Sequence, residues 1–253
     1  MKSIINGLII VISMYVKIPV PKVERSRANM KYAVCFLPCI GCITGALLWA
    51  WHRICDEFGF GQQCFALAGV VIAQFVTSGM HLIGFMGTVR AMHVPGKKER
   101  SGDSSAAFER NAAAVIAVVC YFMLYAAGLI LIWKRNQILL LWLSYIISGA
   151  LSGMSLVWFP MADRDGMAHA FAVNAHKTTA RVVLVTVLAL SFISAVLVQP
   201  VLGAIMSLTA MWVWTYCYYM SRRRFGGVTD EVAGYLVCLC ELACILVIGM
   251  IGR

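Results

Sequence analysis

The sequence predicts an all-α membrane protein, a polytopic bundle of about seven transmembrane helices in a single domain that covers residues 1–253. Of its 253 residues, 61% are hydrophobic and only 13% are charged, and the mean hydropathy is +0.84. Soluble globular chains contain roughly 45–50% apolar and about 25% charged residues. This composition therefore excludes a soluble enzyme, and at about 20 residues per crossing it leaves no room for a sizeable soluble domain.

Long apolar stretches mark the helices of this bundle. In chain order they are Ile4–Val16, Tyr32–Trp51, Cys64–Val89, Ala112–Trp133, Ile138–Ala162, Val182–Val198, Val201–Met220 and Val232–Ile251. The first stretch is too short for a full crossing, so we expect a re-entrant or interfacial helix there. Gln199-Pro200 separates the sixth stretch from the seventh. Because proline disfavours continuation of a helix, a tight hairpin is predicted at this point.

Basic residues predict the orientation of the bundle. The segments 21–31, 90–111, 163–181 and 221–231 together hold 15 of the 21 Lys and Arg residues. Since basic loops mark the cytoplasmic side, we expect all four segments, and a polar cavity between the helices, to face the cytoplasm. The positive charge is thus assigned to the lipid bilayer, and no nucleic-acid partner is expected. The ten cysteines lie mostly in apolar stretches, which is typical of small buried hydrophobic residues.

Polar side chains inside apolar stretches are functional candidates, because their burial in a membrane is costly. Glu241 lies near the middle of the last stretch and His81 lies in the third. Each could instead form an ordinary interhelical hydrogen bond. The segment Arg222–Thr229 combines three arginines with two glycines and a hydroxyl, which are donors suited to a phosphate. Arginines just inside a membrane are also typical of contacts with lipid headgroups.

Three motifs follow one another along nearly the whole chain. They are Lys17-Ile18-Pro19-Val20-Pro21, then Phe36-Leu37-Pro38 with Gly41 and Gly45, and finally Arg224-Phe225-Gly226-Gly227-Val228-Thr229 with Gly234 and Glu241 beyond it. The first is similar to an RIPVP element, the second to an FPLVGLLIG run and the third to a GGVTGD element. Together they resemble the cobalamin synthase family, also called adenosylcobinamide-GDP ribazoletransferase.

This resemblance implies a transferase of the last steps of cobalamin (vitamin B12) biosynthesis, located in the inner membrane of a bacterial or archaeal cell. Its substrates would be adenosylcobinamide-GDP and α-ribazole, or the 5′-phosphate of α-ribazole. A ribose 5′-oxygen attacks the diphosphate, and GMP is released. The resemblance also implies Mg²⁺ as the cofactor, because metal ions held by carboxylates neutralise charge at the transferring phosphorus.

The resemblance further implies roles for individual residues of this chain. The implied catalytic residues are His81, Asp103 and Glu241. The implied substrate-binding residues are Gly84, Ser104, Arg224, Gly226, Gly227 and Thr229. For the metal, the candidates are Asp103 and Glu231.

The acidic residues of the family's most telling motif are replaced in this chain. The family run GGLHLDGLADTADG aligns with Ser78–Ala91, and its three Asp positions hold Ile83, Gly87 and Arg90. These positions share one helix face. Because Ile and Gly provide no side-chain oxygen and Arg has the wrong charge for a cation, we predict little or no Mg²⁺-dependent activity. The aligned positions that do match are His81, Gly84 and Thr88.

Other motif positions of the family are also replaced in this chain by residues without the expected charge. The family loop DSRIGAFG corresponds to Asp103–Phe108, which lacks the arginine, and Gly149 stands where an arginine is expected. A small polar and acidic pair of the last helix is replaced by Val237 and Cys238. The changes concentrate at motif residues while the apolar scaffold stays intact.

Three hypotheses therefore remain open at the level of sequence. The first is an active transferase whose metal ligands have moved to other acids, namely Asp103, Asp163, Asp165, Asp230 or Glu231. The second is a catalytically impaired homologue that keeps the fold as a binding or structural protein. The third is a small-molecule transporter, although the sequence has no inverted repeat of the kind that many transporters contain.

Overall fold

The computed structural model describes residues 2–15, 21, 23–93, 104–162 and 165–252, and within them the chain is helical without a strand. A single 3-10 turn, Ala33–Phe36, precedes the third helix. The helices are α1 (Lys2–Tyr15), α2 (Arg27–Met30), α3 (Leu37–Glu57), α4 (Gly61–Val76), α5 (Met80–Met92), α6 (Ser104–Ile130), α7 (Arg135–Trp158), α8 (Met167–Asn174), α9 (Lys177–Val198), α10 (Pro200–Arg224) and α11 (Asp230–Ile251).

The predicted all-α bundle of about seven spans is confirmed. Six segments are long and apolar enough to cross a membrane, and the bent pair α4–α5 raises the number to seven if it counts as one span. The six contain α3, α6, α7, α9, α10 and α11. Helix α1 has 14 residues, which is shorter than a crossing requires, as its sequence predicts.

The prediction of one continuous stretch over Cys64–Val89 is wrong, because the chain breaks in the middle of it. Helices α4 and α5 meet at an angle of 88°. Ser78 and Gly79 both have left-handed backbone conformations, with φ of 52° and 70°. The Gly79 N–H donates to the carbonyl of Gln74 at 2.9 Å, which is a helix-terminating bond. The Ser-Gly pair therefore ends α4, and α5 starts afresh at Met80.

The predicted hairpin at Gln199-Pro200 is confirmed. Helix α9 ends at Val198 and α10 begins at Pro200, where a proline fits because the first turn of a helix needs no N–H donor there. Gly203 lies against the carbonyl of Ala195, and a Cβ atom at Gly203 would overlap that carbonyl. The two antiparallel helices can therefore approach closely beside the turn.

The described parts of the four basic segments lie at one end of the bundle, here called the basic end. Val228 and Pro160 are joined by an N–H···O bond of 2.8 Å. The His176 N–H donates to the carbonyl of Lys31 at 2.9 Å. On α5, Gly87 lies beside the Glu231 side chain at the start of α11. The grouping predicted from charge is thus present, and its cytoplasmic location stays a prediction.

The opposite end of the bundle is closed by a second set of contacts. The His52 imidazole bonds the carbonyl of Trp133 at 3.0 Å. The Gln137 amide donates to the Gly252 carbonyl at 3.0 Å, which connects the first turn of α7 to the end of α11. Gln137 also accepts the backbone N–H of Lys134 at 2.9 Å, so one side chain satisfies groups on both helices.

Glycines bring the backbones of α3 and α7 into direct contact. A Cβ atom at Gly41 would overlap the carbonyl of Tyr145, and one at Gly149 would lie 2.9 Å from the carbonyl of Leu37. Gly45 continues this contact one turn further along α3, against Trp142 of α7, whereas Gly153 of α7 lies against Leu184 of α9 and the Val34 carbonyl. Helix α3 therefore contributes a small-xxx-small face to α7, the arrangement by which membrane helices pack tightly.

Helix α8 is not predicted by the sequence, which treats residues 163–181 only as a basic segment. Three of its side chains are buried against the bundle, namely those of Ala168, Phe171 and Ala172. Helices this short and this weakly amphipathic give little sequence signal. The segment between α7 and α9 therefore folds back over the basic end.

We expect impermeant maleimide to label the two ends of the bundle from opposite sides of the membrane. The test introduces Arg223→Cys or Lys177→Cys at the basic end, and Asn136→Cys at the opposite end, in a chain whose native cysteines are Ser. In sealed, oriented vesicles, the cysteines at positions 223 and 177 should be labelled from one side of the membrane and the cysteine at position 136 from the other side. Labelling of Arg223→Cys and Lys177→Cys from different sides would contradict the shared end.

We expect Gly41→Ala to destabilise the bundle, because the added methyl group must push α3 away from α7. Overpacking of this kind costs about 1–3 kcal/mol. The measurement is thermal unfolding of the purified chain in detergent. Cys42→Ala, at an exposed neighbouring position of the same helix, serves as the matched control and should leave the unfolding midpoint unchanged. Equal midpoints for both variants would refute the glycine contact.

Candidate active site at the basic end

A cavity of about 240 Å³ opens at the basic end between α5, α7, α8 and α11. Most of its wall is apolar, including Ile83 of α5 and Phe171 of α8. Its polar groups are the side chains of Tyr15, His81, Ser152, Asp230 and Glu231. An apolar cavity with a few convergent polar groups is the usual form of a small-molecule site.

His81 stands in the wall of this cavity because the chain breaks just before it. The break at Ser78 and Gly79 starts α5 inside the bundle, so that His81 lies in the first turn of the new helix. Its ring is half-buried, and the ring centroid lies 5.5 Å from that of Tyr15. The α4–α5 break therefore turns a histidine of an apolar stretch toward a cavity.

A second, deeper cavity connects His81 to Glu241. It measures about 20 Å³ and shares Tyr15, His81 and Ser152 with the outer cavity. The Ser148 hydroxyl donates to Glu241 Oε1 at 3.2 Å, which fixes one carboxyl oxygen. A volume of this size is enough for about one water molecule. Two of the predicted catalytic residues are thus brought together from different helices.

Asp230 fastens α8 to the mouth of the outer cavity. Its Oδ2 accepts the backbone N–H of Met167 at 2.9 Å, and its Oδ1 accepts that of Ala168. These are unpaired donors of the first turn of α8, and a carboxylate is favourable at a helix N-terminus. Gly166, at φ of 104°, makes the turn that precedes them. Asp230 is therefore occupied as a cap for α8.

Tyr15 closes the cavity from the N-terminal helix. Desolvation by the surrounding walls, and to a smaller degree the nearby Asp230 carboxylate, raises the pKa of Tyr15 to about 12. The phenol is consequently neutral at physiological pH and can donate a hydrogen bond. Residues 16–20 follow it outside the described part of the chain.

Gly84, which the resemblance implies as a substrate-binding residue, lies where α5 crosses α11. A Cβ atom at Gly84 would lie 2.8 Å from the carbonyl of Glu231, and one at Gly234 would lie 2.9 Å from the carbonyl of His81. Gly84 also borders the outer cavity. The absence of a side chain at both positions allows His81 and Glu231 to approach the same opening.

The loop that carries the GGVTGD-like element lies beside the cavity and makes contacts within the fold. Gly227 is buried against Pro160, and a Cβ atom there would overlap the Pro160 carbonyl. The Thr229 hydroxyl accepts the N–H of Val232 at 3.2 Å and so caps α11. Arg224 and Gly226 are exposed at this end. Substrate binding by these four residues stays a prediction.

The remaining candidates can be located only in part. Asp103 and Asp163 lie outside the described residues, and Ser104 begins α6 without a described side chain. Glu231 is exposed at the cavity mouth beside Gly87. Asp165 is exposed next to Gly166.

No group of three His, Cys, Asp or Glu side chains that could hold a metal ion occurs among the described residues. Of the two acids at the cavity, Asp230 is engaged with the N-terminus of α8, whereas Glu231 is exposed at the mouth. The face of α5 that carries Ile83 and Gly87 turns toward Glu231 without offering an oxygen. Mg²⁺ is usually bound through one or two carboxylates together with waters and substrate phosphates, and among the described residues Glu231 is the acid at this cavity that caps no helix.

Sequence reasoning missed three contributors to the site. Tyr15 lies in a helix too short to span, and Ser152 lies in an apolar stretch where serines are common. Phe171 belongs to α8, which has no clear periodic pattern. Only the apolar run Met167–Ala172 could have indicated α8, because it interrupts an otherwise polar segment.

The chain is similar over nearly its whole length to one family. The family model described as "Cobalamin-5-phosphate synthase" matches residues 7–249. A protein of Lachnoclostridium phytofermentans named "Adenosylcobinamide-GDP ribazoletransferase" is 31% identical over 94% of this chain and 91% of its own length. Proteins of the same name from Clostridium perfringens and Listeria monocytogenes are 25% and 24% identical, over 99% and 92% of this chain and 100% and 95% of their own lengths.

No solved structure matches the chain. The family match nevertheless covers α1 to α11, including both cavities and the loop before α11. The resemblance found in the motifs is confirmed by this match and by the relatives. The chain belongs to the cobalamin-5-phosphate synthase family.

Proposed function

We propose that this chain transfers α-ribazole, or its 5′-phosphate, to adenosylcobinamide-GDP with release of GMP, at the cavity of the basic end. The observation that carries the proposal is the position of His81, which lines both the outer cavity beside Glu231 and the deeper cavity beside Glu241. The names of the relatives support the choice of reaction. The inner membrane of a prokaryotic cell is the location proposed with it.

The reaction needs a proton acceptor, which His81 provides in this proposal. A free ribose hydroxyl oxygen of the α-ribazole group forms a bond to the phosphorus next to the corrinoid, the bond from that phosphorus to the GMP oxygen breaks, and the hydroxyl proton passes to the imidazole. The Glu241 carboxyl, which accepts a hydrogen bond from Ser148 at 3.2 Å, faces the deeper cavity. In this proposal it also accepts a hydrogen bond from one water molecule in that cavity. General-base help of this kind typically contributes 10²–10⁴-fold, that is, roughly two to four orders of magnitude.

The size of the outer cavity indicates which substrate enters it. Pockets for drug-sized ligands measure about 300–1,000 Å³, and this cavity measures about 240 Å³. A flat aromatic base with its ribose is suited to this space and to its apolar wall, whereas a corrin macrocycle is too large. The corrinoid would therefore stay at the mouth, where exposed arginines such as Arg224 can neutralise its diphosphate.

Mg²⁺, which the family resemblance implies, is not assigned a place in this proposal. The described residues contain no group of three side chains that could hold it, so no step of the reaction is derived through the metal. This observation specifically favours a second candidate function, a family member that binds the substrates and turns them over poorly. Transport is not favoured, because the two cavities described here share no lining residue with the cavity at the opposite end.

The proposal predicts that His81→Gln lowers product formation by about 100-fold or more, because the proton acceptor is lost. The assay follows corrinoid product in membranes supplied with adenosylcobinamide-GDP and α-ribazole, with and without Mg²⁺. His93→Gln, at an exposed position at the end of the same helix, is the matched control. If substrate binding is present while the unaltered chain forms no product, the second candidate function is correct.

Restoration of the lost acids gives a further prediction. The triple change Ile83→Asp, Gly87→Asp and Arg90→Asp should create Mg²⁺ binding, since a carboxylate at position 87 would lie beside Glu231. Bound metal raises the unfolding temperature by mass action, so Mg²⁺ should stabilise the variant and not the unaltered chain.

The control for this prediction is the same triple change to Asn, which adds polarity without charge. Stabilisation of the Asn variant by Mg²⁺ would contradict a carboxylate site. Robust Mg²⁺-dependent product formation by the unaltered chain would instead assign the metal ligands to other residues.

A further inference from the structure

A cavity larger than the two at the candidate active site lies at the opposite end of the bundle. It measures about 590 Å³ and is formed by the last turns of α3 and the first turns of α7. Three tryptophans border it, Trp49, Trp133 and Trp142. The ring centroids of Trp49 and Trp142 are 6.2 Å apart. Neither the reaction nor the family motifs use this cavity.

Two arginines from different helices border the same cavity, although this end of the chain is poor in basic residues. They are Arg53 of α3 and Arg135 of α7. Arg53 forms only a loose surface pair with Asp56, at 3.6 Å between exposed side chains, and pairs of this kind contribute little. Arg135 has no partner among the residues that the structure describes. Asp56 borders the same cavity, so a ligand of Arg53 would replace this loose pair, whereas Arg135 is available to a ligand directly.

Below the arginines the cavity becomes apolar. Ile138 and Leu139 line it on α7, and Leu47 and Trp49 are exposed on the neighbouring surface of α3. Helices α3 and α7 have 21 and 24 residues, and at 1.5 Å per residue they span about 30–36 Å, close to the hydrocarbon thickness of a bilayer. Their ends therefore lie at the level of the lipid headgroups, where tryptophans concentrate.

We propose that this cavity binds the phosphate of a phospholipid headgroup. Arg53 and Arg135 would hold the phosphate through charge-assisted hydrogen bonds, which guanidinium groups form in forked geometry. The tryptophan rings would flank the glycerol, and an acyl chain would follow Ile138 and Leu139 into the membrane. Inorganic phosphate carries the same kind of negative charge but makes no contact with the apolar wall of the cavity. We therefore expect the bound phosphate to belong to a phospholipid.

Native mass spectrometry of the full chain in detergent tests this assignment. The probes are phosphatidylglycerol, diacylglycerol and inorganic phosphate, each added separately. We expect the unaltered chain to retain phosphatidylglycerol, and the double variant Arg53→Gln/Arg135→Gln to reduce its occupancy about tenfold. Arg25→Gln/Arg27→Gln removes the same charge from exposed positions at the basic end and should keep the occupancy of the unaltered chain.

Several results would overturn the proposal. Equal phosphatidylglycerol occupancy in the double variant and the unaltered chain would show that the arginines do not bind lipid. Equal retention of diacylglycerol would exclude recognition of the phosphate, and retention of inorganic phosphate alone would exclude a lipid source. If gel filtration shows that the double variant does not fold, the single variant Arg135→Gln replaces it, because the Arg135 side chain has no partner to lose. Phosphatidylglycerol occupancy of this single variant should also fall.

Discussion

The direct contact between the backbones of α3 and α7 is the constraint on which the rest of the bundle depends. Inside a bilayer, lipid tails are as apolar as leucine side chains, so helices do not associate to escape water. They associate where they can come close, and Gly41 against Tyr145 is the closest of these contacts. Helix α7 is thereby fixed at the centre, where sixteen of its residues are buried.

The two ends of the central helix α7 border different cavities. Toward the basic end, α7 presents Ser148 and Ser152 to the cavities that contain Glu241 and His81. At the opposite end it presents Arg135 and Trp142 to the cavity that borders α3. Residues between them, such as Tyr145, are fully buried. One helix thus separates the candidate active site at one end of the bundle from the proposed lipid site at the other.

The sequence predicted the features that depend on composition and left out those that depend on geometry. Hydropathy located the spans, charge grouped the basic segments, and the cost of burying His81 and Glu241 marked them as candidates. Hydropathy could not locate the break at Ser78. The left-handed backbone conformations of Ser78 and Gly79 change the direction of the chain without changing the polarity of the sequence. Nor could it find Tyr15, whose role arises only when α1 folds against α5. Gly227 looked like a phosphate donor, yet its surroundings are the backbone at Pro160.

The placement of Glu241 has a consequence for how the chain is assembled during synthesis. Helix α11 leaves the ribosome after the helices that complete its polar contact, since Ser148 belongs to α7. A carboxyl group in the middle of a lone apolar helix is costly in lipid. Release of α11 into the bilayer is therefore most favourable directly beside α7, with Gly84 and Gly234 already in contact. Docking of the final helix completes the bundle and encloses the site in one step.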